Sequence, residues 1–261
     1  MTGKPQDSQF CRDIQRRRFL GAFATGIGGT MLAGCGSSAC AQAAVAAACR
    51  VTPTEIRGPY PADGVGGRDA RINVLDLADV LRSDIRPSFA GLEGEAGGVP
   101  MQIELELTRS DDDCAVLARR AIYLWQCDAG GEYSLYTRRD VNYLRGLQPT
   151  DTAGTARFSS IVPGCYGGRA PHLHVEIFSD VEAAMGGVAP LLVSQLGLPT
   201  GPCEEVYGDR ALYGDSAANL ARWPAERDWA FRGDDRSHMM LAMEGDAQSG
   251  FTARARIALS A

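Results

Sequence analysis

The segment that most constrains this chain is Pro163-Gly164-Cys165-Tyr166-Gly167-Gly168-Arg169-Ala170-Pro171-His172-Leu173-His174. From His172 onward polar and apolar residues alternate: His172, His174 and Glu176 against Leu173, Val175 and Ile177. That pattern predicts a β-strand. Residues two apart on a strand share a face, so two of the chain's three histidines project together, as two cis ligands of one metal ion would. An H-x-H pair alone marks a surface strand, a core strand or a zinc site more often than iron. Here Tyr166 stands six positions before His172 and Arg169 three. A phenolate is a hard anionic donor that favours ferric iron, so the segment reads as the core of a mononuclear, non-haem Fe(III) site.

Strand signals dominate the rest. Met101, Ile103, Leu105 and Leu107 alternate with Gln102, Glu104, Glu106 and Thr108, which predicts a half-buried strand. Further strands are expected over 121–127, 157–162, 172–178 and 252–259, separated by turn-forming clusters at 110–113 and 128–131. The pattern predicts an all-β, antiparallel β-sandwich with short helices and long loops. The short helices are expected at 70–81 and 216–222. Trp125 and Trp223 are expected in the core, His238 in solvent, and Arg138-Arg139 as a solvated pair.

Composition excludes several alternatives. Lys4 is the only lysine, so the folded body cannot form a Schiff base. Setting aside the five basic and two acidic side chains of residues 1–34 leaves the body at a net charge of −9, which argues against a nucleic-acid partner. No Gly-rich dinucleotide or phosphate loop and no G-x-S-x-G turn is present.

The N-terminus reads as an export signal. Arg16-Arg17-Arg18-Phe19-Leu20 matches a twin-arginine pattern, and Leu32-Ala33-Gly34-Cys35 reads as a lipobox. The expected division is a signal peptide over 1–34, a tether over 35–48 and a catalytic domain over 49–261. Cys35 would carry the lipid, the sole membrane attachment of a periplasmic or cell-surface bacterial lipoprotein. Ordinary cleavage after Ala39-Cys40-Ala41 is the alternative. Cys40, Cys49, Cys114, Cys127, Cys165 and Cys203 suit an oxidising compartment, and six cysteines allow fifteen pairings. Cys165 has no base beside it and is expected in a disulfide or packed in the interior.

Other blocks extend the pattern. Trp125-Gln126-Cys127-Asp128-Ala129-Gly130-Gly131-Glu132-Tyr133-Ser134 is followed by Pro163 to His174, and is preceded by Thr52-Pro53, Gly58-Pro59-Tyr60, Arg82-Ser83-Asp84-Ile85-Arg86 and Gly98-Val99-Pro100. Together these resemble the intradiol ring-cleavage dioxygenases, the catechol and protocatechuate dioxygenases, and in particular their exported branch. The resemblance spans roughly residues 49–215.

It implies Fe(III) held by Tyr133, Tyr166, His172, His174 and a solvent hydroxide, with a small aromatic diol and O2 as partners. It implies that Tyr166 leaves the metal to accept a substrate proton. Arg169 would stabilise charge developing on the ring, with Gln195 and Tyr60 beside the substrate. Tyr136 and Tyr143 are then packing or pocket wall. The sequence departs from the family at Gln126, where the exported branch has histidine, and at Arg57, where an acidic residue is usual. Self-association is left open. Two other readings remain: a lipid-anchored β-sandwich binding module with a structural metal, and a two-histidine, one-carboxylate Fe(II) oxygenase using Glu176.

Overall fold

The structure is a computed structural model, and it describes residues 49–260. The twin-arginine segment, Cys35, Cys40 and the tether lie outside the described residues. Among the described residues eight strands form: β1 Pro100–Arg109, β2 Ala121–Trp125, β3 Arg145–Pro149, β4 Thr155–Ile161, β5 His172–Phe178, β6 Leu192–Gly197, β7 Ala242–Asp246 and β8 Gly250–Leu259. Four short helices join them: α1 Val181–Met185, α2 Thr200–Val206, α3 Arg210–Tyr213 and α4 Ser216–Arg222.

The strands make two four-stranded sheets, ordered β4-β1-β8-β7 and β3-β2-β5-β6. Their inner faces close on one core. Met101, Ile103, Leu105 and Leu107 of β1 meet Ile122 and Leu124 of β2 and Leu173, Val175 and Ile177 of β5. All nine are fully buried, each contributing about 1.5–3 kcal/mol of hydrophobic stabilisation. This is the sandwich expected from the alternation.

The outer faces differ. On the first sheet, Glu104 and Glu106 of β1 face solvent and pair across the ladder with Arg254 and Arg256 of β8, at 2.7 and 2.9 Å. On the second sheet, Tyr123, Trp125, Leu147 and Phe178 lie under a second apolar cluster supplied by Val74, Leu75, Val80 and Phe89. The chain between Ala62 and Phe89 thus covers the second sheet. Every residue of β5 is buried as a result, the polar ones included.

The arrangement departs from expectation in several places. β1 and β8 pair in parallel. β7 and β8 form an antiparallel hairpin at the edge of this sheet, and a long connection separates β8 from β1, as a parallel pair requires. β3, β6 and β7 were not expected. The strand expected at 121–127 ends at Trp125.

The helix expected at 70–81 is absent except for a single turn at Ala78–Val80. Asp69 and Asn73 accept instead from the backbone N–H groups of Arg71 and Leu75, a local bonding that competes with helix. The helix expected at 216–222 forms as α4. Trp223, at its end, is 40% exposed and not a core residue. His238 is half-buried, not solvated. Cys49 and Cys114 form a disulfide, while Cys127, Cys165 and Cys203 are buried thiols.

Candidate metal centre

The centre lies on the covered outer face of the second sheet. β5 presents His172 and His174 there, as the strand period dictates. Two turns bring the tyrosines. Asp128 organises the first: its Oδ1 accepts from Gly130 N at 2.9 Å and Glu132 N at 3.0 Å, and its Oδ2 accepts from the Tyr143 hydroxyl at 2.9 Å. The second turn, 163–166, packs directly on the first. A Cβ at Gly164 would strike the Ala129 carbonyl oxygen and stand 2.8 Å from Gly131 N. Glycine is therefore required where the two tyrosine-bearing turns touch.

Four polar atoms meet in a closed ring. Tyr133 Oη stands 3.1 Å from His174 Nε2 and 3.4 Å from Tyr166 Oη. Tyr166 Oη is 3.2 Å from His172 Nε2, which is 3.1 Å from His174 Nε2. Two ligands at right angles, each about 2.1 Å from a shared ion, stand about 3.0 Å apart. The observed edges fit one ion held by all four groups. Among the described residues no three His, Cys, Asp or Glu side chains gather as a usual zinc site needs. The donor set here is two imidazoles and two phenols, which suits a hard trivalent cation.

The surroundings fix the donors. His172 Nδ1 donates to the Ala170 carbonyl at 2.6 Å, which leaves its Nε2 lone pair facing the ring. The Trp125 indole stacks on His174 at 4.8 Å and 5° between planes. Gly58, at φ +78°, crosses the other side, where a Cβ would meet His174 Cε1 at 3.0 Å. Burial, then the Arg169 charge for His172 and the His172 and Arg169 charges for His174, push both imidazoles well below their usual value. Burial pushes Tyr133 well above the ordinary phenol value and Tyr166 up to about 12. Only a cation among the four would draw the phenols into their anionic form.

Arg169 is held from three sides. Its Nε donates to Asp228 Oδ2 at 2.8 Å, its Nη2 to Gln195 Oε1 at 2.6 Å, and Trp229 lies 4.6 Å from the guanidinium. Nη1 remains, 3.5 Å from His172 Nε2. Asp228 is buried and also accepts from Ala170 N and Ala230 N, at 2.8 and 2.9 Å. Gln195 is buried too, with its Nε2 on the Ile56 carbonyl at 2.8 Å, so both its ends are engaged by the protein. Tyr60 packs its ring 4.8 Å from that of Tyr133.

Sequence reasoning did not identify Asp228 or Trp229. They lie nearly sixty residues beyond Arg169, in a stretch without motif or periodicity. It also missed Arg145, a fully buried guanidinium that donates to Ser134 Oγ and to the carbonyls of Tyr60, Pro61 and Ser134, each at 2.9 Å. That arginine fastens Tyr60 to the turn carrying Tyr133.

Several residues stand elsewhere than expected. Glu176 does not join the histidines' ring; it binds Arg57 Nε at 2.5 Å, and Arg57 also meets Asp63 at 2.8 Å. Burial lifts the Glu176 carboxyl to about 7. Arg57 thus closes the cover over β5. Gln126, one departure from the family pattern, is buried against the other sheet: its amide accepts from Ser160 Oγ at 2.8 Å and donates to the Ile161 carbonyl at 3.0 Å, both on β4. Cys165 is packed inside, its thiol on the Arg169 carbonyl at 3.4 Å.

No protein-family profile matches the sequence, and a search of curated proteins finds no match. Solved structures do match. An intradiol ring-cleavage dioxygenase from Tetranychus urticae superposes with a TM-score of 0.61 at 20% identity, covering 81% of this chain and 95% of that one. The dioxygenase domain of a dioxygenase–carbohydrate-binding protein fusion from Streptomyces sp. SirexAA-E gives 0.51 at 21% identity, over 80% and 98%. The chain therefore has the fold of the intradiol ring-cleavage dioxygenases, the β-sandwich family that its sequence blocks resemble.

Proposed function

We propose that this chain is a non-haem Fe(III)-dependent intradiol dioxygenase that opens a catechol-type ring between its two hydroxyl-bearing carbons with O2, giving a muconate-type product. The observation that carries the reading is the closed ring of Tyr133, Tyr166, His172 and His174 donor atoms, 3.1–3.4 Å apart. These four residues would hold the ion, which when bound supplies the Lewis acidity that ionises the diol and prepares the ring for O2.

The protein's own groups do the rest. Tyr166 is half-buried where Tyr133 is fully enclosed, so Tyr166 is the phenol with room to move and to hold a substrate proton at Oη. Burial pushes its phenol up to about 12, so away from the ion it holds a proton firmly, which suits an acceptor. Arg169, pinned by Asp228 and Gln195, keeps a fixed positive charge beside the donor ring. A pre-set cation there stabilises negative charge on the substrate without reorganising. The cover formed by Arg57, Gly58 and Asp63 keeps water from the back of His174.

The test is a visible absorption spectrum with metal analysis on the iron-loaded body, followed by O2 uptake with catechol. A tyrosinate-to-iron charge-transfer band that shifts on adding catechol, with O2 consumed, is expected. A colourless protein, or one that retains only zinc, returns the chain to the binding-module reading. Export as a lipoprotein belongs to the same proposal. It predicts that labelled fatty acid enters the full chain and is lost on Cys35→Ala.

A further inference from the structure

The segment after Tyr60, which leads into the stretch 70–81, turns back on Tyr60. Arg68 N donates to the Pro59 carbonyl at 2.9 Å, and the Arg68 guanidinium lies 5.6 Å from the Tyr60 ring centre. Between this segment and the loop after Tyr133 lies a cavity of about 500 Å³. Its walls include Tyr60, Ile72, Leu135 and Tyr136, and Arg68 and Arg139 flank it. The volume falls within the roughly 300–1,000 Å³ of small-molecule sites.

Its charge is distinctive. Asp69 and Arg71 also line it but neutralise each other through a bidentate pair, at 2.9 and 2.8 Å. Arg139 Nε donates to the Tyr136 carbonyl, at 3.4 Å, and Arg68 rests on an aromatic ring. Two guanidiniums thus face this cavity without a carboxylate partner among the described residues, on a body whose net charge is strongly negative.

The walls are preformed. Tyr136 Oη accepts from Ala62 N at 3.0 Å, Tyr123 Oη donates to the Pro61 carbonyl at 2.7 Å, and Arg145 holds Tyr60 and Pro61. The Tyr60 ring stands between Tyr133, at 4.8 Å, and Tyr136, at 5.0 Å. The cavity and the metal centre therefore share a wall that does not need to be ordered by the ligand.

We propose that this cavity is a subsite for an aromatic carboxylate: Tyr60 and Tyr136 flank the ring or chain, and Arg68 and Arg139 bind the acid. Arginine suits this role because its planar fork pairs with a carboxylate through two charge-assisted hydrogen bonds. With the ring-cleavage reading, on which this clause rests, the substrate is larger than catechol, a diol ring joined to an acid-bearing side chain or fragment.

Two measurements on the metal-loaded protein test it. In O2 uptake, the wild type favours 3,4-dihydroxyphenylpropanoate over its methyl ester by about tenfold in KM, and Arg68→Gln/Arg139→Gln brings the ratio to about one. A ratio near one in the wild type, or one that the double variant leaves unchanged, overturns the subsite. In calorimetry, both proteins are titrated with 4-methoxyphenylpropanoate, whose ring cannot chelate a metal. Binding lost in the double variant sustains the subsite even where no diol is opened, in which case it is the ring-cleavage reading that fails. Equal binding by both proteins, or none by the wild type, overturns the subsite while leaving ring cleavage standing.

Discussion

The two sheets of this sandwich carry similar alternation and use their outer faces in opposite ways. β1 sends Glu104 and Glu106 into water, where Arg254 and Arg256 meet them. β5 sends His172, His174 and Glu176 outward too, but the chain from Arg57 to Phe89 lies over them. On the first face, charge is solvated and each ion pair is worth little. On the second, every polar group needs a partner, because an unpartnered buried one is costly. A solvated strand face can be polar in many ways. A covered one must be polar in one particular way, and that is where the donor ring sits.

This contrast predicts a steep gradient of mutational effect between the faces. His172→Ala or Tyr166→Phe should lower O2 uptake with catechol by about a thousandfold or more, since groups acting as a unit fail together. Residual turnover near wild type would remove these residues from the centre. Arg145→Met leaves buried carbonyls of Tyr60, Pro61 and Ser134 without their donor, and should cost about 3–5 kcal/mol in denaturant unfolding. A loss below about 1 kcal/mol would show that these carbonyls find other donors.

Asp228→Asn keeps the shape but releases Arg169. It should reduce kcat/KM by about 10- to 100-fold while the iron charge-transfer band stays unchanged, and Asp228→Glu should recover part of the loss. A band that shifts with the variant would mean that Asp228 supports the fold around the metal and not Arg169. On the open face, Arg256→Gln should change stability by less than about 1 kcal/mol and leave uptake within about twofold. A larger change would mean that this face is not simply solvated.

The sequence carries these two faces unequally. Alternation is enough to find β1 and β5 and to say which side is apolar. It is silent on what covers the other side, so β5 reads like β1 although its polar face is enclosed. β3 is hidden because Arg145, Gly146 and Pro149 are poor strand signals; Arg145 is there for the carbonyls it holds. β7 is short and contains Gly245 in a positive-φ conformation. His172 and His174 are visible as a pair because the strand period joins them. Tyr133 and Tyr166, thirty-three residues apart, come together through two glycine-packed turns, and only resemblance to a family connects them beforehand. Asp228 has neither periodicity nor motif, and its role appears only when its carboxylate is seen beneath Arg169.

The disulfide between Cys49 and Cys114 has a mechanical consequence. Just after it, Thr52 N donates to the Ala258 carbonyl and Thr52 Oγ1 accepts from Ala258 N, at 2.9 and 3.0 Å, which stitches the start of the body to β8. Tension applied upstream of Cys49 therefore passes through a covalent link into the loop after β1 and the first sheet. The segment from Arg57 to Asp63, which closes over His174, sits downstream of both fastenings and bears none of that load. A protein held by its leading end in flow or against a surface would keep its metal centre unstrained, with the solvated sheet serving as the bracket.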